Sequence, residues 1–290
     1  MKYIKGKSFA DLYMKVMDQV YLNPEYVTAP RGLKIRECLN VCMEITDPLN
    51  NLFKCADKSA TLFTKYLKKE ICLYLNGTND VKQFAKASNF WLNIANPDGK
   101  TINSAYGNLI FNPSLEDGRS QFDWAFDCLK KDKDSRQAFM RFNNMTHQFE
   151  GVKDFPCTFV FLFHIRDNKL YATVEMRSND IVRGLAYDVP SFTLFQYLMY
   201  LRLKSIYPEL KLGSYTHISN SLHVYETDFD IIEKRLTNGL TENRFPMPQN
   251  WNVIKSKDVE KLIDERLDDT LIDHKWDYNE NIDFYDWILS

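Results

Sequence analysis

Cys157 stands directly behind Pro156, and Arg177, Ser178 and Asp180 follow within one short span of chain. A thiol becomes a nucleophile when a nearby cation favours its thiolate, so this pair suits covalent catalysis if the chain between them folds back on itself. A cysteine in an apolar run is also an ordinary small core residue. Ser178 beside Arg177 is echoed by Ser135 beside Arg136, and Arg31 with Gly32 adds a third loop arginine. Guanidinium forks and hydroxyls suit phosphate oxygens, while an isolated surface arginine is usually solvated or ion-paired. Glu70 lies where an amphipathic stretch turns wholly apolar. A carboxyl buried there has a raised pKa and can exchange a proton near neutrality; the plainer alternative is a helix-surface acid.

The elements that must position these groups follow from pattern. Residues 157–165 and 170–177 are rich in Phe, Val, Tyr and Thr around the turn Arg166-Asp167-Asn168-Lys169, which predicts a hairpin with Cys157 and Arg177 near neighbouring strand ends. Helical spacing over 8–21 follows Ser8, a natural N-cap. A loop with Arg31 and Arg36 leads to a strand ending at Asp47-Pro48, and 58–75 reads as a helix stopped by Asn76-Gly77. Residues 119–140 predict a helix, a charged turn and a strand. A long helix is expected from Pro190 to Leu210, a strand over 214–223, and a helix over 257–272 in an acidic tail.

Composition narrows the function. The 290 residues are 44% hydrophobic, enough for a substantial core, and carry a net charge of −2. That balance offers no bulk attraction for nucleic acid or an anionic membrane, so an anionic ligand must be held by a local arginine cluster. Six cysteines without a CxxC pair point to a reduced, intracellular protein. No apolar run approaches the ~20 residues that span a bilayer, which gives a cytoplasmic expectation. Five scattered histidines give no metal-binding spacing, so no metal is expected. Residues 1–245 are expected as one catalytic domain and 246–290 as an extension that packs on or closes the site.

Seven motifs in order carry a resemblance, over about residues 28–240, to the thymidylate synthase and pyrimidine-nucleotide hydroxymethylase family. They are KEICLYLNGTNDV around Glu70, Trp91, NSAYG with Tyr106, DKDSRQ with Ser135 and Arg136, FPCT with Cys157, RSNDIVRGLAYDV, and SLHVYETDF with His223 and Tyr225. The resemblance implies an α+β fold: a large mixed sheet packed against helices, dimerising through the sheet. It implies one-carbon transfer from 5,10-methylenetetrahydrofolate to C5 of a pyrimidine 5′-monophosphate. Cys157 would attack C6 and Glu70 would manage protons through ordered water. Arg31, Arg177 and Ser178 would hold the phosphate, with Ser135 and Arg136, the latter reaching in from the second subunit of a homodimer. His223 and Tyr225 would meet the sugar hydroxyl, and Trp91, Tyr106, Asp180 and Gly184 would face the folate or the base.

The departures from the family point to one branch. Synthases close the corresponding run with asparagine, whereas this chain has Asp188. An amide matches the N3–H and O4 of uracil; a carboxyl sharing a proton with N3 and accepting from the 4-amino group matches cytosine. Thr158 stands where synthases carry histidine, which alters the water network at the base, and Gln137 replaces a second arginine. The resemblance therefore implies hydroxymethylation of a cytidine monophosphate, dCMP before CMP. The competing readings are a divergent thymidylate synthase or dUMP hydroxymethylase, and a catalytically silent nucleotide- or RNA-binding relative.

Overall fold

The computed structural model describes residues 1–55, 59–255 and 282–290; the helix expected over 257–272 lies outside them. Strand β1 (Lys2–Gly6) leads to α1 (Phe9–Met17), where Ser8 makes the expected cap by accepting from the Asp11 N–H. A π turn at Asp18–Leu22 precedes β2 (Tyr26–Thr28), β3 (Ile35–Ile45) and β4 (Leu52–Lys54). Next comes α2 (Ser59–Asn76), which ends where Gly77 takes φ 72° and its N–H bonds the Leu73 and Tyr74 carbonyls. Then follow α3 (Val81–Ala87), α4 (Phe90–Ile94), α5 (Tyr106–Phe111), α6 (Gln121–Lys131) and β5 (Phe139–Arg141). The remainder is β6 (Thr158–Arg166), β7 (Lys169–Met176), β8 (Asn179–Asp180), α7 (Leu185–Lys204), β9 (Lys211–Tyr225), α8 (Phe229–Asn238), β10 (Thr241–Asn243) and α9 (Ile282–Leu289).

These elements form two compact units of interleaved segments. The first comprises Met1–Phe63, Cys157–Gln196 and Lys211–Phe245. Its mixed sheet runs β1-β3-β9-β7-β6, with β2 on β3 and β8 on β9. β6 and β7 are the expected hairpin, turned by Asp167 and Asn168 at φ 49° and 55°, left-handed values those two residue types tolerate. β9 is longer than the strand expected over 214–223.

The largest correction concerns α7, which starts at Leu185 and not at Pro190. Pro190 lies inside the helix, where it has no N–H to give the Ala186 carbonyl. Asp188 is consequently in the first turn of a helix. Phe192 meets Phe161 edge-on at 5.9 Å, and the Gln196 amide donates to the Leu170 and Gly213 carbonyls at 3.1 and 3.2 Å. α7 therefore runs antiparallel to β7 and β9, with its N-terminus over their C-terminal ends. On the α1 side the core is aromatic: Phe53 stacks on Tyr13 at 4.9 Å and on Phe63 at 5.1 Å.

The second unit holds Thr64–Pro156, Tyr197–Leu210 and Pro246–Ser290. Ser120 caps α6 as a helix beginning there requires, and the charged turn and strand follow as expected. Buried Asp154 draws in the Asn103 and Ser104 N–H groups at 2.6 and 2.7 Å, which ties down the loop before α5. At Gly107 a Cβ would stand 1.9 Å from the Tyr74 carbonyl, so only glycine lets α5 approach α2 this closely. No helix among the described residues is long and apolar enough to cross a membrane. Sheet and helices together make the α+β class expected from the sequence.

Candidate active site

β7, β8 and β9 run parallel and β6 antiparallel, so the C-terminal ends of three strands meet the start of the fourth. Cys157 and Arg177 lie at that end, one residue beyond each strand, and the Arg177 N–H donates to the Cys157 carbonyl at 2.9 Å. Strand pairing thus brings the two together as the hairpin pattern required. Cys157, Arg177 and Ser178 all keep some exposure, so a ligand can reach them. Asp180 pairs with His223, and Tyr225 pairs with Ile35 at the start of β3. The turn before β3 carries Arg31, exposed and at φ 55°, followed by Gly32 at φ 81°. One end of one sheet therefore collects Arg31, Cys157, Arg177, Ser178, Asp180, His223 and Tyr225.

Over this end α7 lowers Asp188. The Asn179 amide donates to Asp188 Oδ2 at 2.6 Å. Burial raises the Asp188 carboxyl to about 7, against a smaller opposing effect of the Asn179 hydrogen bond. The residue as a whole retains some solvent exposure, while its carboxyl is buried. Beneath it, β9 presents Tyr215, His217 and Ser219. The Tyr215 hydroxyl meets His217 Nδ1 at 2.8 Å, and burial lowers His217 to about 3, leaving its ring neutral. Thr158 and Ser219, both buried, have hydroxyls without a hydrogen-bond partner among the described residues.

Asp180 divides its carboxyl between two tasks. Oδ1 accepts the N–H groups of Val182, at 2.7 Å, and of Arg183, and so builds the turn that leads into α7. Oδ2 is buried and has no donor among the described residues. Burial pushes the carboxyl above the usual range, opposed by those N–H groups and by the charge of His223. At Gly184 an added Cβ would lie 3.0 Å from the Asp180 carbonyl, so the turn is shaped around glycine. His223 is buried and meets Tyr225 edge-on at 5.2 Å. Arg183 grips Asp228 with two bonds of 2.7 and 3.0 Å and lies over the Tyr225 ring at 5.2 Å.

The remaining candidates lie in the second unit. Glu70 is buried on α2 and accepts from the Tyr66 hydroxyl at 3.2 Å; Tyr66 in turn accepts from the Trp91 indole at 3.2 Å. Trp91, Tyr66 and Glu70 therefore form a directed hydrogen-bond chain. Tyr106 is buried, stacked on Tyr74 at 5.7 Å and edge-on to Phe142 at 5.0 Å, so its ring serves the core. Ser135 and Arg136 lie on the loop after α6 and line a groove of about 820 Å³ with Arg119, Trp124 and Lys131.

Three contributors escaped the sequence reading: Asn179, Tyr66 and Arg183. Tyr66 and Glu70 stand at i and i+4, a spacing that could have paired them. Asn179 sits inside the RSND run, but its use depends on the acid it faces nine residues later. Among the described residues no group of three His, Cys, Asp or Glu could hold a metal ion. The buried, unpartnered Asp180 Oδ2 is suited to an N–H donor of the kind a pterin ring carries.

The sequence model described as thymidylate synthase matches residues 11–284. The chain is 29% identical to the deoxycytidylate 5-hydroxymethyltransferase of Enterobacteria phage T2, over 75% of this chain and 86% of that one. It is also 29% identical to the deoxyuridylate hydroxymethyltransferase of Bacillus phage SP01, over 77% of this chain and 59% of the relative. To a thymidylate synthase of Symbiobacterium thermophilum it is 26% identical, over 74% and 75% respectively.

Proposed function

Because this chain belongs to the thymidylate synthase family, we propose that its one-carbon transfer is made to C5 of a cytidine 5′-monophosphate, dCMP before CMP, and ends in a 5-hydroxymethyl group. The observation that carries the base assignment is Asp188: a buried carboxyl raised to about 7, where the family's synthases present an amide. A half-protonated carboxyl can donate to the bare N3 of cytosine and accept from its 4-amino group. Uracil offers the opposite pattern.

The residues act on the nucleotide in sequence. Arg177, Ser178 and Arg31 bind the 5′-phosphate together with Ser135, and Arg136 is contributed by a second copy of the chain in a homodimer. His223 and Tyr225 meet the sugar hydroxyl. Cys157 Sγ gives up its proton and adds to C6, which makes C5 carbanion-like. When bound, 5,10-methylenetetrahydrofolate supplies the one-carbon unit, and Asp180 Oδ2, Trp91 and Gly184 would hold it; Tyr106, packed in the core, would not. C5 takes up that unit and loses its proton, leaving an exocyclic methylene on the nucleotide and tetrahydrofolate as the second product. Water adds to the methylene carbon as the sulfur leaves C6. Glu70, at the end of its Trp91–Tyr66 chain, is the residue that moves protons through water in this scheme.

Mass spectrometry of products formed from methylenetetrahydrofolate with dCMP, CMP, dUMP or UMP tests the reading. A hydroxymethyl adduct on a cytosine nucleotide is expected. A modified uracil nucleotide would overturn the base assignment in favour of the branch that the SP01 relative's name describes.

A further inference from the structure

One terminal atom of the Asn179 side chain touches two acceptors. It is 2.6 Å from Asp188 Oδ2 and 2.9 Å from the Met176 thioether sulfur. A carboxylate oxygen and a thioether both call for a donor, so this atom is the amide nitrogen and the carbonyl oxygen is the other. That oxygen, Asn179 Oδ1, is buried and meets no donor among the described residues. The amide is itself buried beside β9, so its orientation is fixed by packing as well as by bonding.

An amide nitrogen can only donate. Asp188 Oδ2 must accept, which means that a proton on the Asp188 carboxyl belongs on Oδ1. Tyr215 on β9 also acts on this carboxyl electrostatically, and its hydroxyl is engaged with His217 at 2.8 Å. We propose that Asn179 is a positioning residue that assigns the Asp188 proton to Oδ1 and so presents an O–H donor, next to an accepting Oδ2, to the base. The inference rests on the cytosine reading above and adds the group that enforces it. Without Asn179 the proton would exchange between the two oxygens and the carboxyl would rotate, and either change blurs the distinction between an N3 acceptor and an N3–H donor.

The test is a cycle of wild type, Asn179→Ala, Asp188→Asn and the double variant, with kcat/KM for dCMP and dUMP as one readout. The second readout is ¹³C NMR titration of Asp188 in carboxyl-labelled protein without ligand. Asn179→Ala is expected to lower the dCMP/dUMP preference on the order of tenfold, the scale of one hydrogen bond to an ionisable group, and to shift the Asp188 midpoint upward. In the Asp188→Asn background the same change should leave base preference unmoved, which a merely structural role would not predict. Asn179→Gln, which keeps the amide, serves as the conservative control. A preference and a midpoint that both survive Asn179→Ala would overturn the proposal. If the wild type instead acts on uracil, the cytosine reading falls, and the NMR midpoint alone decides whether Asn179 governs Asp188.

Discussion

The Arg177 N–H and the Cys157 carbonyl are joined at 2.9 Å, so the thiol and the guanidinium are registered by main chain before either side chain is placed. Substitution of the thiol leaves that bond intact. Cys157→Ala is expected to fold normally, with Tm within a few degrees of wild type, and to form no product above background in the mass-spectrometric assay. Arg177→Lys should retain turnover but raise the nucleotide KM about tenfold, because an ammonium cannot reproduce a two-pronged contact with phosphate.

Asp188→Asn replaces a proton-sharing carboxyl with an amide whose donor and acceptor fit uracil. The dCMP preference should fall by about ten- to a hundredfold, with dUMP gaining, as competition between the two nucleotides would reveal. For wild type, kcat/KM on dCMP should decline as pH rises through about 7, where Asp188 loses its proton, and the variant should lack that limb.

The same carboxyl makes a stability prediction with a definite sign. Its folded pKa of about 7 lies above the ordinary 3.8, so between those values the native state holds a proton the unfolded chain has released. Raising the pH through that window therefore removes stability. Asp180 shifts in the same direction, so the comparison must isolate Asp188. Asp188→Asn should be near wild type in Tm at pH 4 and more stable at pH 8, by about 2–4 °C for each kcal/mol recovered.

Buried Tyr13 donates to the Ile181 carbonyl at 2.6 Å and accepts from Arg235 at 2.9 Å, linking α1 to the turn before α7. Tyr13→Phe leaves both partners short of a bond. A loss of about 1–3 kcal/mol is expected in urea denaturation, with no change in base preference.

The hairpin, the α6 cap and the Gly77 stop were legible because each rests on local chemistry: turn residues of left-handed backbone, a serine before a periodic run, a glycine after one. The start of α7 was not, because Pro190 is the strongest nearby helix-start signal and only packing over the sheet carries the helix one and a half turns beyond it. That Cys157 and Arg177 become neighbours was legible through strand pairing, which the pattern encodes. Asn179 was passed over because its meaning is tertiary: nothing within RSND says that an aspartate nine residues on will turn back to face it. The Arg183–Asp228 grip on Tyr225 joins positions 45 residues apart, beyond any local pattern.

Arg31 occupies a left-handed conformation, φ 55°, that a residue with a Cβ adopts at a cost of about 1–3 kcal/mol. Glycine would relieve that cost, although it gives back up to about 1 kcal/mol through the freedom of the unfolded chain. Stability and ligand affinity therefore pull apart at this position. A selection for thermal tolerance alone would accept Arg31→Gly, and the tolerant protein would have discarded a positive charge from the end of the sheet proposed to hold the nucleotide's phosphate.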